Sequence, residues 1–84
     1  LKPEGHIIDT LGWVYFKLRR YGEARVELER AALLMPDDSV VQEHLGDVYR
    51  ALKLWDKARR AYLRALELNP DNASVSEKLE ELSP

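Results

Sequence analysis

LGWVYFKL at residues 11–18 and LGDVYRAL at 45–52 are one phrase written twice, 34 residues apart. The offset holds well beyond the phrase. Ala24 and Ala58, Ala31 and Ala65, and Pro36 and Pro70 stand at the same separation. Residues 5–38 therefore align over 39–72 in a shared frame, L-G-x-V-Y-x-x-L, then A-R, then R-A-x-x-L-x-P-D. Identities at one constant offset mark an internal repeat.

Each unit reads as two helices. Leu11, Val14, Tyr15 and Leu18, with Leu45, Val48, Tyr49 and Leu52, recur at spacings of three and four. That spacing predicts the buried stripe of a first helix in each unit. Gly12 and Gly46 fall inside those helices, where glycine costs about 1 kcal/mol against alanine. A cost carried in both units predicts a close helix–helix approach. Ala24 and Ala58 supply a small residue on a second helix. The apolar face of that helix is predicted to be Val26, Leu28, Ala31, Ala32 and Leu34 in the first unit. In the second unit it is Tyr62, Ala65, Leu66 and Leu68. Pro36 and Pro70 end these helices, because the residue before proline is pushed away from α geometry. Asp38 and Asn72, in the PDDS and PDNAS turns, are placed to cap the helix that follows.

The frame resembles the tetratricopeptide repeat (TPR): L-G-x-x-Y, then A, then an aromatic or leucine, then A, then P. Two departures stand out. The early tryptophan of the pattern is Ile8 in one unit and Gln42 in the other. The usual turn glycine is Arg19 or Lys53, with Gly22 displaced three residues onward. The resemblance implies an all-α, right-handed helix-turn-helix solenoid of five helices, with units at 5–38 and 39–72. Residues 1–4 read as the remnant of a preceding repeat or linker. Residues 73–84 read as a capping helix and tail, since Val75, Leu79 and Leu82 continue the inward register while Glu80 and Ser83 replace glycine and tyrosine. A stack end that packs on one side and is polar on the other has this pattern. The phrases DTLGWVYFKL and EHLGDVYRAL are similar to the last repeats of bacterial TPR proteins. The first residues, Leu-Lys-Pro, read as part of a longer chain, so cytoplasm and periplasm both stay open.

Composition narrows the function classes. The 84 residues contain no cysteine, and 13 basic against 15 acidic residues give a net charge of −2. Disulfides and Cys-ligated zinc are excluded. Nucleic-acid or anionic-membrane binding would need a basic surplus. No Ser-His-Asp set, phosphate-cradling glycine loop or cofactor motif is present, and His6 and His44 lack a third ligand. We expect no enzyme, no cofactor and no metal site.

The resemblance further implies a concave groove lined by the first helices, where peptides or partner helices lie. The groove positions in the first unit are His6, Asp9, Trp13, Phe16 and Lys17. In the second they are Val40, Glu43, Asp47 and Arg50, with His44 at the edge. On the cap helix they are Ser74, Glu77, Lys78 and Glu81. Asp9, Glu43 and Glu77 form one acidic row, and Asp47 and Glu81 a second. Like charges four residues apart cost a helix a few tenths of a kcal/mol. The rows read either as a groove for a basic or amine-bearing ligand or as a solvated acidic face balanced by Lys17, Arg50 and Lys78. Trp13 and Phe16 lie off the buried stripe and are candidate anchors, aromatic residues being prominent in interfaces. The lysines and asparagines with which some TPR proteins clamp a C-terminal carboxylate are replaced by Asp9, Trp13, Glu43 and Asp47, so that mode is not expected. Arg59, Arg60 and Arg64 read as a solvated convex face. The competing role is a structural solenoid segment, or self-association through Ile7 and Ile8 at an uncapped N-terminal face.

Overall fold

A computed structural model describes residues 4–82. Five α-helices follow one another: α1 Glu4–Lys17, α2 Tyr21–Leu34, α3 Ser39–Ala51, α4 Trp55–Leu68 and α5 Ala73–Leu82. Helix α1 packs on α2 and α3 on α4, while α2–α3 and α4–α5 contacts join the units. The result is an all-α solenoid of two helix-turn-helix units closed by α5. Helix α1 begins at Glu4, and the segment before it lies outside the described residues, as do Ser83 and Pro84.

The repeated glycines set the spacing. A Cβ on Gly12 would lie 2.6 Å from Leu28 Cγ, and one on Gly46 would lie inside the Tyr62 ring contact. Leu28 and Tyr62 are equivalent positions of α2 and α4, and both are fully buried. Ala24, Ala31, Ala58 and Ala65 complete the seam as predicted. Gly5 makes a third close approach, against the Met35 side chain.

The turns solve one problem twice. Arg19 and Lys53 adopt φ of 63° and 64° where the repeat pattern has glycine. Arg20 N–H donates to Tyr15 C=O at 2.9 Å and Leu54 N–H to Tyr49 C=O at 2.8 Å. This is the Schellman closure of a helix end, achieved here without glycine. Asp38 caps α3 by accepting from the N–H groups of Val40 and Val41. Asn72 does the same for Val75 at 3.2 Å.

The predicted stripe of α1 needs correction. Val41, Leu45 and Val48 of α3 are buried, and Leu45, Val48 and Leu52, the residue that caps α3, pack in one cluster with Ala24 and Leu28 of α2. Their equivalents Ile7, Leu11, Val14 and Leu18 are 62%, 41%, 48% and 60% exposed. The reason is positional: this stripe packs on the second helix of a unit before it, and no described element precedes α1. Only Tyr15 of the predicted set is partly buried. In α2, Val26 and Leu34 are exposed, and the core falls to Ala24, Leu28 and Ala31. The α5 register is as read: Val75 is fully buried, with Leu79 and Leu82 packed beside it on α4.

The glycines make a graded prediction. Gly22 has open space around its Cβ position, so Gly22→Ala is expected to stabilise by about 0.5 kcal/mol. Gly46→Ala gains about 1 kcal/mol in helix propensity but overpacks a rigid seam at about 1–3 kcal/mol, and is expected to destabilise. Urea unfolding of both variants gives the signs; a stabilising Gly46→Ala would refute the close-approach role.

Candidate functional site

The concave face is built by α1, α3 and α5. Its centre is an ion-pair lattice held from below by a tyrosine. Tyr62 rises from α4 through the space Gly46 leaves open, and its hydroxyl donates to Asp47 Oδ1 at 2.5 Å. Lys78 of α5 then lies 3.0 Å from both Glu43 Oε2 and Asp47 Oδ1. Asn72 donates to the other Glu43 oxygen at 3.0 Å. Arg50 pairs with Glu81 at 2.8 Å. The like-charged Glu43 and Asp47 thus share one ammonium from their own chain. Burial alone would raise the pKa of Glu43, but hydrogen bonds from Lys78 and Asn72 outweigh it and hold the carboxyl below its ordinary 4.5. Burial disfavours the Lys78 ammonium, yet Glu43 and Asp47 keep its pKa above 10.5.

The first unit contributes aromatics instead of charge. Trp13 stacks on Phe16 at 4.8 Å between centroids and on His44 at 4.2 Å. His44 Nδ1 lies 2.8 Å from Asp9 Oδ1, and Asp9 is the one buried charged residue among those described. A Trp–His–Asp chain therefore ties α1 to α3. Lys17 stands over the Trp13 ring at 5.0 Å. Phe16 also meets Tyr21, tilted at 5.4 Å. A crevice of about 500 Å³ opens between the units, lined by Phe16, Asp47, Arg50, Ala51, Trp55 and Lys78.

Of the residues singled out in the sequence, Phe16, Asp47, Arg50 and Lys78 line this crevice, with Trp13 stacked behind Phe16. Glu43 supports it from the far side of Lys78. Asp9 is turned inward onto His44. Glu77 is exposed, with no ion-pair partner among the described residues. His6, Val40 and Ser74 are exposed and join no part of the lattice. One contributor escaped the sequence reading, Trp55 as a wall of the crevice; His44, read at the groove edge, is a stacking partner, and Tyr62, read as core, is also the prop beneath Asp47. Trp55 carried a signal, since the first residue of the second helix is aromatic in both units, Tyr21 and Trp55.

The lattice has a pH signature. Glu43 and Glu29 have carboxyl pKa values lowered in the folded chain, so their contribution is present above about pH 4.5 and lost as pH falls through the folded values. Lys78, Tyr49 and Tyr62 are raised, so theirs is lost as pH rises beyond about 10. Melting temperature followed by circular dichroism is expected to fall on both sides of a plateau. In Glu43→Gln the acid limb is expected to flatten in part, Glu29 supplying the remainder; an unchanged acid limb would disprove the assignment.

Comparison with known proteins matches the architecture. Among described residues no helix is long and apolar enough to cross a membrane, and no cluster of three metal-ligating side chains occurs. No curated protein sequence matches the chain. The solved structure of the first TPR domain of human RPAP3 superposes with a TM-score of 0.90 at 23% identity, over 94% of this chain and 62% of that one. The first TPR of Spaghetti (RPAP3), bound to the HSP90 peptide SRMEEVD, also superposes at 0.90 and 23% identity, over 93% and 62%. The chain thus spans about three fifths of the length of those domains, and the likeness is one of fold. The tetratricopeptide repeat family model matches residues 7–38 and 40–72, the two units read from LGWVYFKL and LGDVYRAL, and the chain belongs to the tetratricopeptide repeat family.

Proposed function

We propose that the concave face binds a peptide or partner helix through an apolar anchor, making the chain a protein-interaction module and not an enzyme. One observation carries the reading. The central crevice presents Phe16, Ala51 and Trp55, while the charges around it are already paired with one another. Paired ions offer little further Coulomb energy to a ligand, whereas aromatic walls gain from being covered. The anchor is then a bulky apolar side chain. A basic residue of the ligand is directed to Glu77, the carboxylate of the first acidic row that is exposed and without an ion-pair partner among the described residues. The SRMEEVD peptide carried by Spaghetti (RPAP3) is rich in carboxylates, the same charge as the acidic rows, so carboxylate-clamp binding is not part of the proposal. The residues assigned to the groove are Asp9, Trp13, Phe16, Lys17, Glu43, Asp47, Arg50 and Glu77, with Trp13, Asp9 and Glu43 acting through the positions of their neighbours.

The test is selection of peptides from a random display library on the folded chain, followed by titration of the enriched sequence. Enrichment of bulky apolar residues beside lysine or arginine is expected. Phe16→Ala is expected to lower affinity at least tenfold, about 1.4 kcal/mol, with the helical spectrum unchanged. Normal binding by folded Phe16→Ala would sink the groove reading.

A second reading rests on a separate observation, the exposed stripe Ile7, Leu11, Val14 and Leu18. Contiguous exposed apolar surface marks association sites. Self-association through this face is the structural alternative. Sedimentation is expected to show concentration-dependent association that disappears in Ile7→Asn with Leu11→Gln. A wild-type chain that stays monomeric at millimolar concentration would exclude it. Ile8 is less exposed and lines a separate shallow crevice with Glu4, Arg30, Leu33 and Leu34, so Ile7 and Leu11 are the informative positions.

A further inference from the structure

Most cations of this protein are matched to a carboxylate within 4 Å. Arg20 pairs with Glu23, Arg25 with Glu29, Arg30 with Glu27, Arg50 with Glu81, Arg59 with Asp56 and Arg64 with Asp37. Five cations have no such partner among the described residues: Lys17 and Arg19 in the first unit, and Lys53, Lys57 and Arg60 in the second, Lys57 sensing the Glu29 carboxylate at longer range. The second-unit three are grouped. Lys57 and Arg60, three apart on α4, and Lys53 in the turn before it line one crevice at the start of the helix. Lys57 stands 5.7 Å above the Tyr49 ring, and Arg60 reaches only the Asp56 carbonyl at 3.4 Å.

Two crevices flank these cations and share Lys57 and Arg60 as their common wall. One, of about 410 Å³, is lined by Lys53, Leu54, Trp55, Asp56, Lys57 and Arg60. The other, of about 290 Å³, is lined by Gln42, Leu45, Tyr49 and Ala61 together with the two cations. Apolar side chains (Leu54 and Trp55 in one crevice, Leu45, Tyr49 and Ala61 in the other) thus share the lining with these cations, alongside Asp56 and Gln42. The scaffold does not require this. The positions 34 residues earlier hold Arg19, Glu23 and Val26, and the first unit has the same turn geometry.

We propose that this edge of the second unit is a docking surface for an acidic polypeptide segment in which glutamate or aspartate alternates with bulky apolar residues. Charge complementarity selects the sign, and the apolar lining residues select the alternation. The surface is distinct from the concave groove, whose central charges are already paired within the chain. A polypeptide fits better than the other polyanions. Three phosphate contacts give weak nucleic-acid binding, since that affinity grows with each phosphate neutralised. A membrane surface needs protruding apolar groups beside the cations, and here much of the apolar surface lines crevices.

The experiment uses a fluorescein-labelled peptide of repeating Glu-Leu-Glu, about 12 residues long, titrated with the whole chain and read by anisotropy. Saturable binding is expected, weakening at least tenfold between about 50 and 300 mM salt as screening sets in. Lys53→Gln with Lys57→Gln and Arg60→Gln is expected to weaken it at least tenfold while leaving the melting curve in place. Lys17→Gln with Arg19→Gln, the unpaired cations of the first unit, is expected to leave it unchanged. So is Phe16→Ala, which separates this surface from the groove. Absence of saturable binding, equal binding of a Gln-Leu-Gln peptide, or an equal loss in the first-unit control would each overturn the proposal. So would tighter binding of a single-stranded oligonucleotide or of phosphatidylserine vesicles through the same three cations.

Discussion

The contact between Gly46 and Tyr62 is the constraint on which the rest of the concave face depends. Helix α3 can approach α4 only because position 46 has no Cβ. That approach buries the Tyr62 ring completely and lifts its hydroxyl to the far side of α3, where it meets Asp47. Asp47, so fixed, shares Lys78 with Glu43 and draws α5 onto the stack. A buried tyrosine hydroxyl needs a partner, and a carboxylate acceptor makes the bond stronger than a neutral one. One missing methyl group therefore positions a side chain in the core, an ion pair in the groove and the capping helix.

The first unit keeps the constraint and changes its use. Gly12 admits Leu28, which has no hydroxyl to send through. The groove above it is accordingly built from rings: Trp13 on Phe16 and on His44, with Asp9 behind. Tyr49 follows a related logic on another side, donating to Glu29 of α2 at 2.6 Å and so joining the units. On the groove side charge links helices, Asp9 to His44, Arg50 to Glu81 and Lys78 to Glu43 and Asp47, while Lys17, Arg19, Glu77 and the Lys53–Lys57–Arg60 edge are left where a ligand has something to gain.

Most of the fold was legible because a repeat is an experiment the sequence performs on itself. Helix ends at Pro36 and Pro70, caps at Asp38 and Asn72, the glycine seam and the inward register of Val75, Leu79 and Leu82 all followed from spacing. The burial of Leu11, Val14 and Leu18 did not, because periodicity locates a stripe without saying what covers it. Leu45 and Val48, in the same register, are buried only because α2 precedes them. The site was legible by position and not by partner. Glu43 and Asp47 read as an acidic row open to a ligand, yet Lys78 occupies it. That pairing joins residues 31 and 35 apart in sequence, and it depends on the height of a tyrosine in another helix. Trp55 was not legible because the groove pattern belongs to the first helices, while the crevice takes one wall from the start of α4.

The two ends of the stack differ in kind, and this gives the solenoid a direction. Helix α5 turns Val75 inward and presents Ser74, Glu77 and Glu80 to water, while Glu81 is paired with Arg50 of α3. Adding another helix over that face would desolvate carboxylates without a built-in counterion, which is costly. Helix α1 presents Ile7, Leu11, Val14 and Leu18 in the register that α3 uses against α2 and α5 uses against α4. Covering it costs no charge and removes apolar surface from water at about 25 cal/mol per Å². Any helical surface shaped like that of α2 or α4 is thus accepted on the α1 side and refused on the α5 side.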